Sequence, residues 1–262
     1  MIDAHRFQSP LALWPAFAPT MLEQLKHADA VVGTIERDVY RPYSIVEGIA
    51  IVAVRGVLVH DAGWWWGETS YDGIAQSLFG AIADPEVRGV AMLINSPGGE
   101  VSGCFDLADA IYSVRGVKPV HAIVDESAYS AAYALASSAD RIILPRTGGV
   151  GSIGIISMHV DITKMLDDAG IKVTTFQYGE YKADSQPTTT LDKGAKARIQ
   201  ADVDTLGEMF VELVARNRGL DAAAIRKMEA GCFLGEAGVE AGLADEVMSP
   251  DDAFLALVAE AS

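Results

Sequence analysis

Three stretches of the sequence hold residue types that could do chemistry together. The first, DESAYSAAYALASSAD (Asp125 to Asp140), places Ser130 where a loop gives way to an Ala-rich run of high helix propensity. Free backbone N–H groups and the dipole at a helix N-terminus favour developing negative charge, so a hydroxyl there could act as a nucleophile. Serine is also a favoured N-cap, and on the local sequence alone capping is the simpler reading. The second stretch is the Gly98-Gly99 pair after an apolar run, where backbone without Cβ atoms could turn sharply and aim N–H groups at a ligand. Such a pair by itself marks only a turn. The third is the polar QYGEYKADSQPTTTLD, which contains Lys182.

A nucleophilic serine needs a base and an oxyanion site. Of the five histidines, His121 falls in a strand, His159 follows a glycine-rich block and the others lie in or near the N-terminal segment; a Ser-His-Asp triad with His159 stays open. Lysine is the other candidate base. It accepts a proton near neutral pH only if deprotonated, which requires burial and few close carboxylates. Lys182 stands between Glu180 and Asp184, and the local sequence leaves open which way those side chains face.

The surrounding pattern alternates strands and helices. GIAIVAVRGVLV (Gly48 to Val59) reads as a strand bent or bulged at Arg55-Gly56. Ile74, Leu78 and Ile82 mark a helix from Tyr71 to about Asp84-Pro85, followed by a buried strand VAMLIN (Val90 to Asn95) and a helix from Val101 to Val114. PVHAIV (Pro119 to Val124), the helix after Ser130 and RIILP (Arg141 to Pro145) continue the series, which predicts a parallel sheet with right-handed crossovers. TGGVGSIGIISMHVD brings backbone close to something through Gly148, Gly149, Gly151 and Gly154, and runs into a strand-like IGIISM. It lacks the Lys-Ser/Thr of a phosphate-binding loop. A short helix (Ile162 to Ala169), a strand IKVTTF (Ile171 to Phe176), a long amphipathic helix to about Arg218 and a helix from Ala222 to Met228 follow. A short helix ending at Gly242 and an apolar helix or tail after Ser249 complete the chain. Residues 1–47 read as an N-terminal arm, interrupted by Pro10, Pro15, Pro19 and Pro42 and carrying a short helix from Thr20 to Asp29. Trp64 to Gly73 reads as a loop whose adjacent tryptophans meet a partner or substrate, or cover the arm.

Composition narrows the function. In 262 residues, 36 acidic against 20 basic side chains give a formal charge of −16, which repels phosphate backbones and argues against nucleic-acid binding as the main task. Half the residues are hydrophobic, enough for a substantial core. Cys104 and Cys232 fit no metal-ligand spacing and read as small buried hydrophobes in a reducing, cytoplasmic compartment. LALWPAFAP (Leu11 to Pro19) is too short for a membrane span, is broken by Pro15 and lacks a basic flank, so no membrane partner is expected.

Taken jointly, INSPGGEVSG, AYSAAYALASSAD with its following RI, and YGEYKAD occur in the order and spacing of the Ser-Lys peptidases related to signal peptide peptidase A. Within that family the sequence most resembles the head maturation (capsid assembly) proteases of lambda-like phages and prophages. The resemblance covers Gly48 to Val247, including GSIGI and GLADEV. It implies an α/β, ClpP/crotonase-like fold, with repeated ββα units around a twisted sheet and flanking helices: a peptidase domain over residues 48–248 and a tail over 249–262. It assigns Ser130 as nucleophile, Lys182 as general base and Gly99 as backbone oxyanion donor, with Gly98 and Ala131 beside them, and needs no metal or cofactor. Substrates would be extended polypeptides, by analogy scaffold, portal or coat protein and the protease itself, met in the host cytoplasm or inside the procapsid. The enzyme would be a homo-oligomer. Many relatives carry Ser-Gly-Gly where this sequence has Ser130-Ala131-Ala132, and phage relatives often continue into a C-terminal scaffold region. The rival readings are a cellular peptidase degrading signal peptides, an acyl-CoA enzyme of the crotonase fold, and a non-catalytic structural oligomer. Ser130 and Lys182 lying apart within one subunit would point to active sites shared between subunits.

Overall fold

A run of β-branched residues, Ile49–Val59, supplies the strand on which the sheet is built, and its Arg55-Gly56 step breaks the register as the sequence predicts. The computed structural model describes residues 11–13, 41–61 and 68–262; the expected Thr20 to Asp29 helix and the tryptophans 64–66 lie outside them. In chain order the first strands are β1 (Leu11–Leu13), β2 (Ser44–Val46), β3 (Ile49–Val59) and β4 (Glu68–Ser70). Helix α1 (Tyr71–Ala83) starts at Ser70, whose side chain accepts from the Gly73 N–H, and buries Ile74, Leu78 and Ala81 at helical spacing.

Then come β5 (Gly89–Glu100), α2 (Cys104–Ser113), β6 (Val120–Tyr129), α3 (Ala131–Ser137), β7 (Arg141–Leu144) and β8 (Gly149–Gly151). The central order is β7-β6-β5-β3, with all three neighbouring pairs parallel. Both β5 and β6 run further than the sequence predicts, each continuing through the chemistry-bearing stretch that was expected to be a loop. Helix α3 is buried at every position, and its small side chains let it lie close against β5, β6 and α2. Arg115 satisfies the C-terminal end of that helix by donating to the carbonyls of Ser137, Ser138 and Ala139.

The remaining elements are α4 (Thr163–Asp168), α5 (Lys193–Arg218), α6 (Ala222–Arg226), β9 (Cys232–Leu234), α7 (Glu236–Glu240), β10 (Glu246–Val247) and α8 (Pro250–Glu260). Phe210, Leu213 and Val214 of α5 enter the main core beside α3, whereas the first half of that helix stands largely clear of it. The opposite face of the sheet is covered by α8, whose Ala253 and Leu257 meet Ile49, Ala91, Ile123 and Ile143.

Three expectations fail here. IKVTTF is not a strand: residues 171–176 are irregular and exposed, because among the described residues no neighbouring strand offers them backbone partners. IGIISM likewise stays out of the ladder except for an isolated bridge at Ile156, since β8 ends at Gly151. Cys104 is buried, and burial pushes its thiol up to about 12. Cys232 is exposed rather than buried, because β9 is an edge strand that turns Phe233 inward and Cys232 outward.

Asp245 ties the end of the chain to the sheet. Its carboxylate takes a two-pronged contact from Arg218 at 2.7 and 3.0 Å and the Ile142 N–H at 2.7 Å. Burial raises its pKa, but the Arg218 hydrogen bonds and charge with the Ile142 N–H outweigh this and hold it below the usual carboxylate range. A carboxyl depressed in the folded state stabilises above its unfolded pKa of about 4, and that stabilisation is lost as pH falls through the folded value. Asp245→Asn is therefore expected to lower stability by about 1–3 kcal/mol at pH 7. The gap from the wild type should narrow at pH 3, as read by urea unfolding at the two pH values; an equal loss at both would contradict it.

Candidate active site

Ser130 sits at the turn between β6 and α3 with φ 55° and ψ −121°. A residue with a Cβ rarely adopts that conformation, and holding one there costs about 1–3 kcal/mol. The surroundings fix it: the Ser130 N–H donates to Gly151 O at 2.8 Å, and its carbonyl accepts from the Ala134 N–H at 3.0 Å. Its side chain does not cap the helix, so the capping reading fails. The strain turns the hydroxyl away from the first-turn amides, and among the described residues the fully buried Oγ has no hydrogen-bond partner. A buried hydroxyl without a partner is unfavourable for folding alone and is what a nucleophile awaiting substrate and base presents.

The glycine pair is arranged differently from the expected sharp turn. Gly98 and Gly99 lie within β5, paired with Val57 and Leu58 of β3. A Cβ on Gly99 would fall on the Leu58 carbonyl oxygen, so glycine is required there by close approach of the two strands. Gly98 has φ 102°, and its N–H donates to Ser96 Oγ at 3.1 Å. Ala131 is the first residue of α3, so its N–H has no intrahelical acceptor and lies next to Ser130.

Lys182 is exposed, in the turn-rich segment between α4 and α5. It is not the hydrogen-bond partner of Ser130, whose Oγ has none among the described residues. The question left by its acidic neighbours is half answered: Asp184 is held by Arg198 at 2.6 Å, and that guanidinium also stacks on Tyr181, 3.9 Å from the ring centre. Asp184 is thereby turned to another cation. Lys182 stands in a stretch with large apolar side chains in water, among them Phe176 at 92% and Tyr178 at 101% exposure.

Among the described residues no histidine is hydrogen-bonded to Ser130 Oγ. His121 is buried under α8, 3.1 Å from Glu260, nine residues before Ser130 and so about 30 Å away along the strand. His159 borders a cleft of about 540 Å³ formed with Ile155, Met158, Leu191, Ile199 and Val203, and makes no bond to Ser130. One residue escaped the sequence reading. Ser152 is buried with φ 55° and donates its N–H to Gly231 O at 2.9 Å, one position after the glycine that holds Ser130. The glycine block pointed to close backbone approach there, and Tyr129 and β9 are what approach. Nothing in the residue types singled out the serine inside it.

A strand-to-helix turn carrying a strained serine, set in a mixed α/β sheet, is the frame of a serine-type hydrolase. The chain belongs to peptidase family S49, whose family description matches residues 113–262. It is 38% identical over 97% of its length to the head-tail preconnector protein GP5 of Enterobacteria phage P21, covering 56% of that protein. It is 35% identical over 82% of its length to the capsid assembly protease C of Escherichia phage lambda, covering 49% of it. Protease 4 of Haemophilus influenzae is more distant, 27% identical over 87% of this chain and 38% of its own. The chain thus spans about half the length of the phage relatives it matches. Among the described residues no helix is long and apolar enough to cross a membrane.

Proposed function

We propose that the protein is a serine endopeptidase that uses Ser130 as nucleophile and Lys182 as general base, and that it acts on phage head proteins during capsid assembly. The observation that carries this is the buried, unpartnered Ser130 hydroxyl held in a strained conformation at the β6–α3 turn. The names of the phage relatives supply the substrate class. The parallel β3-β5-β6-β7 core with crossover helices supports the ClpP/crotonase-like arrangement of the fold.

In the proposed reaction the Lys182 amine takes the Ser130 proton as Oγ attacks a peptide carbonyl. Backbone N–H groups of Gly99 and Ala131 receive the resulting oxyanion, each such donor being worth about 10²-fold or more in rate. The tetrahedral intermediate collapses, the protonated lysine returns its proton to the leaving amine, and water hydrolyses the acyl-enzyme by the same route. Lys182 reaches the site from a second copy of the chain. Its segment, with Ile171, Val173, Phe176 and Tyr178 in water, is the surface on which copies pack in a closed homo-oligomer. Burial at that interface favours an uncharged amine.

Labelling with a fluorophosphonate probe tests the nucleophile. A single adduct on the Ser130 peptide, found by mass spectrometry, is expected; an adduct elsewhere, or none in a sample that hydrolyses casein, removes Ser130 from the role.

A further inference from the structure

The peptide-binding side of the proposed site is already occupied, and by the chain itself. A strand has two edges. Along Gly98 and Gly99, β3 takes one edge of β5 through Val57 and Leu58. The other edge belongs to β6 only as far as the Ser96 and Ala128 pair, after which β6 diverges toward Ser130. Beyond that point the vacated edge is taken by β1, with Leu13 opposite Gly98, Ala12 opposite Gly99 and Leu11 opposite Glu100. The N-terminal strand therefore lies on the edge of β5 that β6 leaves on its way to Ser130, antiparallel to β5, whereas β3 and β6 both run parallel to it.

We propose that β1 is a self-ligand: residues Leu11–Leu13 fill, in cis, the edge of β5 on which an extended substrate peptide is taken up, and must leave before hydrolysis begins. This rests on the peptidase reading and adds to it the identity of the segment that closes the site. An extended peptide added to a free strand edge is a common way of binding polypeptides through main-chain hydrogen bonds. The sequence suits a short, releasable occupant: Pro10 and Pro15 stand on either side of Leu11–Leu13 in the sequence, and a proline lacks the N–H that a ladder needs. An independent observation agrees: Ser130 is fully buried, so in this arrangement no substrate reaches its hydroxyl and some covering segment has to move. Of the elements beside the turn, β5, β6 and β8 are built into the sheet, while β1 is held to it by three residue pairs. The apparent affinity for substrate is then reduced by the fraction of molecules in which the edge is filled.

The test uses a fluorescein-labelled peptide of residues 9–17, SPLALWPAF, and the full-length Ser130→Ala protein, in which binding is read without cleavage. Successive residues of a strand face opposite edges, so Leu11→Pro with Ala12→Pro removes an N–H from the β5-facing side whichever residue provides it. Fluorescence anisotropy is expected to give a Kd for the peptide lower by about tenfold or more in the proline variant; an unchanged Kd overturns the proposal. A second variant, Leu11→Cys with Glu100→Cys in a Cys232→Ser background, should form a disulfide that abolishes peptide binding until it is reduced. Failure of the disulfide to form, or retained binding once it has formed, overturns the proposal as well. With Ser130 restored, the proline variant should hydrolyse casein with a lower KM. Absence of hydrolysis in both proteins alongside the expected change in Kd would remove the peptidase reading and leave β1 as the occupant of a peptide-binding edge.

Discussion

Ser130→Ala is expected to lower hydrolysis of casein, and any self-cleavage, by about 10³-fold or more, because in the proposed reaction Ser130 Oγ forms the acyl-enzyme. The same substitution should not lower thermal stability. The hydroxyl it removes has no hydrogen-bond partner among the described residues, so no contact is broken, and a buried polar group is deleted. Ser130→Gly separates the two effects further. With φ 55° and ψ −121° the site is strained for any residue with a Cβ, and glycine relieves that strain. The glycine variant should be equally inactive yet more stable by up to about 1–3 kcal/mol, less what the unfolded chain gains in freedom. Urea unfolding of the three proteins, with activity measured in parallel, checks both statements. A structural serine would behave in the opposite way: both variants would lose stability and keep turnover. Stability gained where activity is lost is the signature of strain held for function.

The same residue shows how far the sequence could be read. The Ala-rich run after an apolar, β-branched strand located the strand-to-helix turn correctly, because those preferences are local. Whether Ser130 caps the helix depends on φ and ψ at one residue, and these are set by the distant Gly151 carbonyl that takes its N–H. Gly99 was legible as a place of close approach but not as part of a strand, since the partner is Leu58, forty-one residues earlier. IKVTTF failed for a complementary reason. Strand propensity needs an edge to pair with, and among the described residues none pairs with residues 171–176. Ser152 was invisible because its significance lies in backbone geometry next to another segment, not in its type. Local pattern thus fixed the frame, whereas the site is made of contacts between segments far apart in the chain.

Lys182→Ala is the second substitution expected to remove nearly all activity, and it carries the question of where the base comes from. Lys182 is exposed in a segment whose aromatic side chains stand in water, while Ser130 is fully buried. If a second copy delivers the lysine, two inactive variants restore each other. A Ser130→Ala copy lends its Lys182 to a Lys182→Ala copy that retains Ser130, and the interface between them holds a complete dyad. In a closed head-to-tail oligomer assembled at random from equal amounts, about one interface in four combines an intact serine with an intact lysine. Mixing the variants, dissociating and reassembling them should therefore recover about a quarter of the wild-type rate. Lys182→Arg on its own should be as inactive as Lys182→Ala, because a guanidinium does not give up its proton near neutral pH. An inactive mixture of two separately inactive variants would place serine and lysine in the same copy. The exposed 171–181 segment would then have to fold back over its own β6–α3 turn, a rearrangement visible as protection of those amides from hydrogen exchange when substrate binds. A Lys182→Ala protein that hydrolyses casein at the wild-type rate would remove the lysine from the chemistry altogether. The complementation result also bears on β1, since a neighbour that brings Lys182 to the β6–α3 turn must share that space with whatever strand lies on β5.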